Sequence, residues 1–270
     1  MNSENFQYCT RISEYHTPHP YESDLMASEA PKIILYTNHG CPYAHRAHIA
    51  LDELKLSYDE VMIDLDKPRE PWYLQVNPRG LVPAVSYSTS SLGNQIITES
   101  SIVAQFLCDA HPSPLLPASN SSPTSALTRA RIHFFIDTWN TKIGGFMFAI
   151  FRAKDVKEKE ATSQEWVAAV EKDIEPLLED AAPFFGGSSE LTLAEVNIAP
   201  FLLRIYALSS RGVLPNSVKV GLDTLPNFSR WAKATVAKET VTKIWNEEVV
   251  CEKTASRIAK LKAQAANEHK

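Results

Sequence analysis

Glycine is scarce in this chain, with nine in 270 residues, which excludes collagen-like and Gly-rich low-complexity architectures. Cysteine is scarcer. Cys9, Cys41, Cys108 and Cys251 lie far apart with no Cys-x-x-Cys pair, so they read as free thiols rather than a disulfide frame. No excess of positive charge is present either. Lys and Arg number 27 against 32 Asp and Glu, a net of −5, so neither nucleic acid nor anionic lipid is an expected partner. The longest apolar stretch, Phe146 to Phe151, is far shorter than a membrane span. Residues 1–31 lack an apolar core segment and carry Glu4, Glu14, Glu22, Asp24 and Glu29, unlike a secretory or transit leader. The cytoplasm is the expected compartment. No internal repeat is visible.

What remains is an ordinary globular composition, 44% hydrophobic and 22% charged, long enough for one large domain or two modest ones. Residues 1–31 are polar, contain Pro18, Pro20 and Pro31, and read as an N-terminal extension without periodicity. From Lys32 the pattern sharpens. Ile33 to Tyr36 predicts a buried strand, and Ala47, Ala50, Leu51 and Leu54 mark one face of a helix that Pro42 can open. Alternating Val61, Ile63 and Leu65 predict a second strand, parallel to the first. A short helix over Pro68 to Gln75, a turn at Asn77 to Gly80, a hairpin of Ala84–Tyr87 and Gln95–Thr98 joined by a long loop, and a closing helix through Ala110 follow. The order βαβ-α-ββα over 32–111 is that of a thioredoxin-like domain. Residues 112–124, rich in Pro and Ser, form a linker, and 125–250 show helical signals only, including a capping box at Thr192 and Glu195. Residues 251–270 are left as a C-terminal tail. The expected fold class is α+β/α, a thioredoxin-like domain followed by an all-helical one.

Chemistry is expected at Cys41. A cysteine between a strand and a helix N-terminus faces unpaired backbone N–H groups and the positive end of the helix dipole, which favour thiolate over thiol. Ala44 stands where a dithiol site would carry its second cysteine, so a disulfide on Cys41 must be resolved by an external thiol. In Gly80-Leu81-Val82-Pro83-Ala84 the proline sits where a cis peptide would expose the Val82 backbone to an extended ligand. Glu99-Ser100-Ser101 opens a helix whose free N–H groups suit a carboxylate, or merely caps it. Cys41, His45 and His48 share one helical face with His39 nearby. Zinc is considered and no metal is expected, because such positions rarely converge on one ion. A protonated His45 could support the thiolate, and His48 is expected on a solvated face.

Cys-Pro-Tyr-Ala-His-Arg from Cys41, Asn-Pro-Arg-Gly-Leu-Val-Pro-Ala from Asn77 and Glu-Ser-Ser-Ile from Glu99 together resemble a cytosolic glutathione S-transferase over about residues 32–245. The cysteine in the nucleophile position, Lys67-Pro68 and the N-terminal extension are similar to the omega class. The resemblance implies catalysis by Cys41 and glutathione as cosubstrate. It places Glu99 and Ser100 at the γ-glutamyl end, Val82 at the cysteinyl backbone, Lys67 at the glycyl carboxylate and Tyr43 beside the sulfur. It puts Arg204 and Trp231 in the second-substrate pocket and implies a homodimer. Glu195 replaces the family's usual Asp cap, one methylene longer, which should be tolerated. The implied activity is thiol transfer or reductive deglutathionylation, including dehydroascorbate reduction, on a small electrophile or disulfide. Conjugation or isomerisation of a specialised metabolite or xenobiotic, and a non-catalytic regulatory protein, stay open. Membrane insertion of the kind attributed to related chloride channel proteins is not expected, because His45, Arg46, His48, Asp52, Glu53 and Lys55 make the first helix too polar.

Overall fold

The structure, a computed structural model, describes residues 30–268; the extension expected over 1–31 lies almost wholly outside them. Strand β1 (Lys32–Thr37) alternates and buries Ile33, Leu35 and Thr37. Helix α1 (Pro42–Glu53) returns the chain to β2 (Asp59–Met62), parallel to β1. β2 begins and ends earlier than its apolar alternation predicts. Ile63 still donates its N–H to Thr37 O (2.8 Å), but Asp64 then accepts from the Asp66 N–H (2.9 Å) and turns the chain out of the sheet.

Helix α2 (Pro71–Val76) starts at the second proline of its segment, because Glu70, directly before Pro71, is extended. Strands β3 (Ala84–Thr89) and β4 (Gly93–Thr98) pair from Ala84↔Thr98 to Thr89↔Gly93. The long loop expected there shrinks to Ser90–Leu92, closed by Gly93 at φ +64°. The sheet order is β2-β1-β3-β4, with β1 antiparallel to β3. Helix α3 (Ser100–Ala110) completes the thioredoxin-like part.

Residues 112–124 are pinned rather than loose: Leu115 and Leu116 are buried, and Leu115 O accepts from the Leu193 N–H (2.7 Å). The rest is helical. α4 (Ser125–Thr138) runs through a π-helical turn (Trp139–Ile143) to α5 (Phe146–Arg152) and α6 (Val156–Asp173). Then come α7 (Leu193–Ser210), α8 (Asn216–Asp223), α9 (Pro226–Val236), the short α10 (Glu239–Thr242) and α11 (Glu247–Glu268). Residues assigned above to a tail are thus part of one helix with Glu247–Val250.

α7 is buried on nearly every face and forms the centre of the helical part. Its predicted capping box is present. Glu195 Oε2 accepts from the Thr192 N–H (2.8 Å) and hydroxyl (2.7 Å), while Oε1 accepts from the Phe185 N–H (2.8 Å) and the Trp231 indole (2.5 Å). The extra methylene is accommodated, with both carboxylate oxygens satisfied. α1 packs against α3 and α7, so Ala44 to Leu51 are buried without interruption, between the sheet and the helical part.

Candidate functional site

The turn between β1 and α1 is built by Asn38. Its side-chain carbonyl accepts from the Gly40 N–H (3.0 Å), its backbone carbonyl from the Cys41 N–H (2.9 Å), and its amide donates to Ile63 O (2.9 Å). Cys41 is thereby fixed as the N-cap of α1 with Pro42 in the first turn, and its side chain makes no capping bond. Partly exposed, the thiol lies beside a small cluster of Ala44, Ile63, Tyr73 and Val82, with Sγ 3.9 Å from Val82 O. Val82 is joined to Pro83 by a cis peptide bond. The preceding Leu81 carbonyl is held by the Tyr73 hydroxyl (2.5 Å) and the Asn77 amide (2.8 Å). Gly80 adopts φ +63°, and a Cβ there would stand 3.0 Å from Arg69 Cγ. Arg69 in turn donates to the carbonyls of Gly80 (2.9 Å), Asp64 (2.7 Å) and Lys67 (2.5 Å), fastening the Lys67 loop to the Val82 loop.

At the start of α3, Glu99 takes a left-handed φ of +68°, a strained conformation for a side-chain-bearing residue and one concentrated at ligand sites. Its carboxylate pairs with Arg79 (2.5 Å), and both side chains are well exposed. Ser100 is buried, and its hydroxyl accepts from Arg46 Nη1 (3.1 Å). Arg46 also donates to Ser101 Oγ (3.0 Å), Asn197 O (2.8 Å) and Asn140 Oδ1 (3.2 Å), between the rings of Tyr43 and Phe201. Burial lowers its pKa to about 10, so it stays cationic at neutral pH. Tyr43 is exposed beside Phe201. Lys67 is exposed and pairs with Asp64 at 3.3 Å.

The structure brings Cys41 to Val82 and ties Ser100 and Tyr43 to Arg46, while Glu99 and Lys67 are exposed and paired with Arg79 and Asp64. It separates the two pocket residues. Arg204 is buried and donates to Gly40 O (2.9 Å), directly beside Cys41, and to Pro200 O (2.7 Å). Trp231 has no exposed surface, spends its N–H on Glu195 and packs against Phe135 and Phe228; it belongs to the core of the helical part, not to a pocket wall.

Two histidine expectations also change. His45 is fully buried, neither ring nitrogen has a hydrogen-bond partner, and burial followed by the Arg204 charge lowers its pKa to about 3. It is neutral at physiological pH and offers no positive charge to the sulfur. His48 is buried rather than solvated, bonded to Thr37 Oγ1 (2.8 Å) and Tyr58 OH (3.0 Å). The positioning roles of Arg46, Arg69 and Asn38 carried no assignment from sequence. An arginine five residues after the candidate nucleophile, on the same predicted helix, was the available signal.

A thiol at the N-cap of the first helix, facing a cis-proline strand and backed by a helical bundle, defines a cysteine-type site on a thioredoxin-like fold. Residues 40–110 match the family model for the glutathione S-transferase N-terminal domain. The chain is 32% identical over 123 residues, 45% of either protein, to a pyrimidodiazepine synthase of Drosophila melanogaster. It is 26% identical over 191 residues to the glutathione S-transferase omega-1 of Rattus norvegicus, covering 71% of this chain and 74% of that one. The solved structure of glutathione transferase Omega 2C from Trametes versicolor superposes with a TM-score of 0.72 at 28% identity, covering 84% of this chain and 99% of that one. The chain thus carries a glutathione S-transferase N-terminal domain and is similar over most of its length to glutathione transferases of the omega class.

Proposed function

We propose that this protein catalyses glutathione-dependent thiol transfer through a mixed disulfide on Cys41. The observation that carries the reading is the placement of a partly exposed Cys41 Sγ at the N-cap of α1 beside Val82 O, with Ala44 where a resolving thiol would stand. The Cys41 thiolate attacks the glutathionyl sulfur of a mixed disulfide, forming Cys41–S–S–glutathione and expelling the substrate thiolate, which takes a proton from water. The thiolate of a second glutathione attacks the Cys41 disulfide, releasing oxidised glutathione and restoring Cys41. Cys108 and Cys251 are buried and offer no internal alternative.

In this reading the γ-glutamyl end meets Glu99 and Ser100, the cysteinyl backbone meets Val82, the glycyl carboxylate meets Lys67, and Tyr43 borders the sulfur. Binding of the ammonium group requires Glu99 to share its carboxylate with Arg79. Arg204, through Gly40, sits where a second substrate would approach; Trp231 has no part. Residues 32–111 form the glutathione-binding domain and 125–250 the helical domain, joined by 112–124. Exposed Leu127 and Phe134 on α4 supply apolar surface for a homodimer, and we assign the protein to the cytoplasm. Among the described residues no helix is long and apolar enough to cross a membrane.

Treatment with oxidised glutathione should give a 1:1 adduct on Cys41 by intact mass and peptide mapping. Cys41→Ala should abolish exchange with hydroxyethyl disulfide while retaining the parent's thermal midpoint. Full exchange activity in that variant refutes the reading.

A further inference from the structure

We propose that His39, His48 and Glu60 form a site for one divalent cation of the zinc type, built on the turn that carries Cys41 but using none of the glutathione-binding residues. The three come from different elements, the β1–α1 turn, α1 and β2, and one ligand atom from each lies within 4.8 Å of the others. His39 Nε2 is 2.7 Å from Glu60 Oε2, His48 Nδ1 is 3.9 Å from Glu60 Oε1, and the two imidazoles meet edge to face with centroids 5.2 Å apart. Two imidazoles and a carboxylate are the ligand set that suits zinc, and three protein donors leave a fourth position for water. From sequence, Cys41 and His45 are the partners weighed for His48 on its helical face, and no metal is expected. Neither joins the cluster, because His45 is sealed near Arg204 and Cys41 turns toward Val82.

His48 is already oriented as a metal ligand requires. The Nε2–H tautomer satisfies both of its contacts: Nε2 donates to Thr37 Oγ1 at 2.8 Å, and the Nδ1 lone pair accepts from the Tyr58 hydroxyl at 3.0 Å. A hydrogen bond at the far ring nitrogen is the outer support that fixes a ligating histidine. Its ring is fully buried and fixed, whereas the side chains of His39 and Glu60 are 44% and 31% exposed, so they can close on an ion that enters from solvent. Lys243, whose charge acts on His48, is engaged by Asp52 at 2.6 Å. Two bonds must yield: that from Tyr58 to Nδ1, and that between His39 Nε2 and Glu60 Oε2, whose proton leaves as the ion enters. A bound ion would tie the Cys41 turn to both α1 and β2.

The test uses the full chain, reduced and stripped of metal, in a Cys41→Ser background so that the reactive thiolate cannot contribute. Zinc is titrated by calorimetry and cobalt(II) by visible absorption. The expected result is one equivalent bound, with tetrahedral cobalt bands and no sulfur-to-cobalt charge-transfer band. His39→Ala and Glu60→Gln should each weaken zinc at least tenfold without lowering the metal-free thermal midpoint, since both side chains are solvent-accessible. Tyr58→Phe, which frees Nδ1, should bind zinc at least as tightly as the background protein. Absence of binding at millimolar zinc overturns the site, as does a titration unchanged by His39→Ala and Glu60→Gln, which places the ion elsewhere. A charge-transfer band or weaker zinc binding in Tyr58→Phe refutes the ligand set as drawn.

Discussion

His45 makes acid the natural weak point of the α1 packing. Its imidazole is fully buried, without a hydrogen-bond partner, and its pKa is about 3; burial and the charges of Arg204, His48 and His39 outweigh the backbone contact from Val241. In the unfolded chain the same group titrates near its ordinary value of about 6.5. Above that pH it is neutral in both states and contributes no pH dependence. Between about 6.5 and 3 the unfolded state binds one proton more than the folded state, so stability falls as the pH is lowered. The slope is about 1.4 kcal/mol per pH unit, roughly 2 kcal/mol by pH 5. His48, also buried and lowered to about 4, acts in the same direction, so the contribution of His45 is read as a difference. Urea unfolding at pH 7.5 and 5.0 should show that His45→Leu loses about 2 kcal/mol less than the parent. At pH 7.5 the variant should be as stable or more so, since two orphaned nitrogens give way to apolar volume. Equal losses in parent and variant would refute the neutral buried imidazole.

Glu195→Ala orphans the Trp231 indole and the Phe185 and Thr192 N–H groups, and should cost on the order of 3–5 kcal/mol in urea unfolding; a cost below 1 kcal/mol contradicts the network. Gly221→Ala drives a Cβ to 2.6 Å from Val167 Cγ2 between α8 and α6 and should cost about 1–3 kcal/mol, largely recovered by adding Val167→Ala. No loss in the single variant, or no recovery in the double one, contradicts that packing. Glu99→Gln and Lys67→Ala should each raise the KM for glutathione about tenfold while Cys41 alkylation by iodoacetamide is unchanged. Unchanged KM in both removes the ligand from these loops.

Legibility from sequence followed locality. Cys41-Pro42 at a strand–helix junction and Thr192 with Glu195 are contiguous signals with a local cause, and the structure shows both N-termini where they point. The hairpin and β2 were legible in kind but not in extent, because Ser, Thr and Asn can pair in a strand as readily as they can loop, and an Asp64 turn outweighs the apolarity of Leu65. Side-chain fates on α1 were not legible. His48 reads as part of a solvated face, and it, His45 and Arg46 become interior because α3 and α7 cover what the sheet does not. Trp231 misled for the converse reason. Its chain position fits a pocket wall, but the carboxylate that claims its N–H is 36 residues away in sequence.

The reach of Arg46 makes the two halves of this molecule interdependent in structure at the start of α3. Its guanidinium bonds Ser100 and Ser101 on one side and Asn197 and Asn140 on the other. The hydroxyl assigned to the γ-glutamyl carboxylate is therefore held in register by residues of the helical half. On the binding mode proposed above, a substitution in α7 that shifts Asn197 would be felt at the glutathione end without touching it.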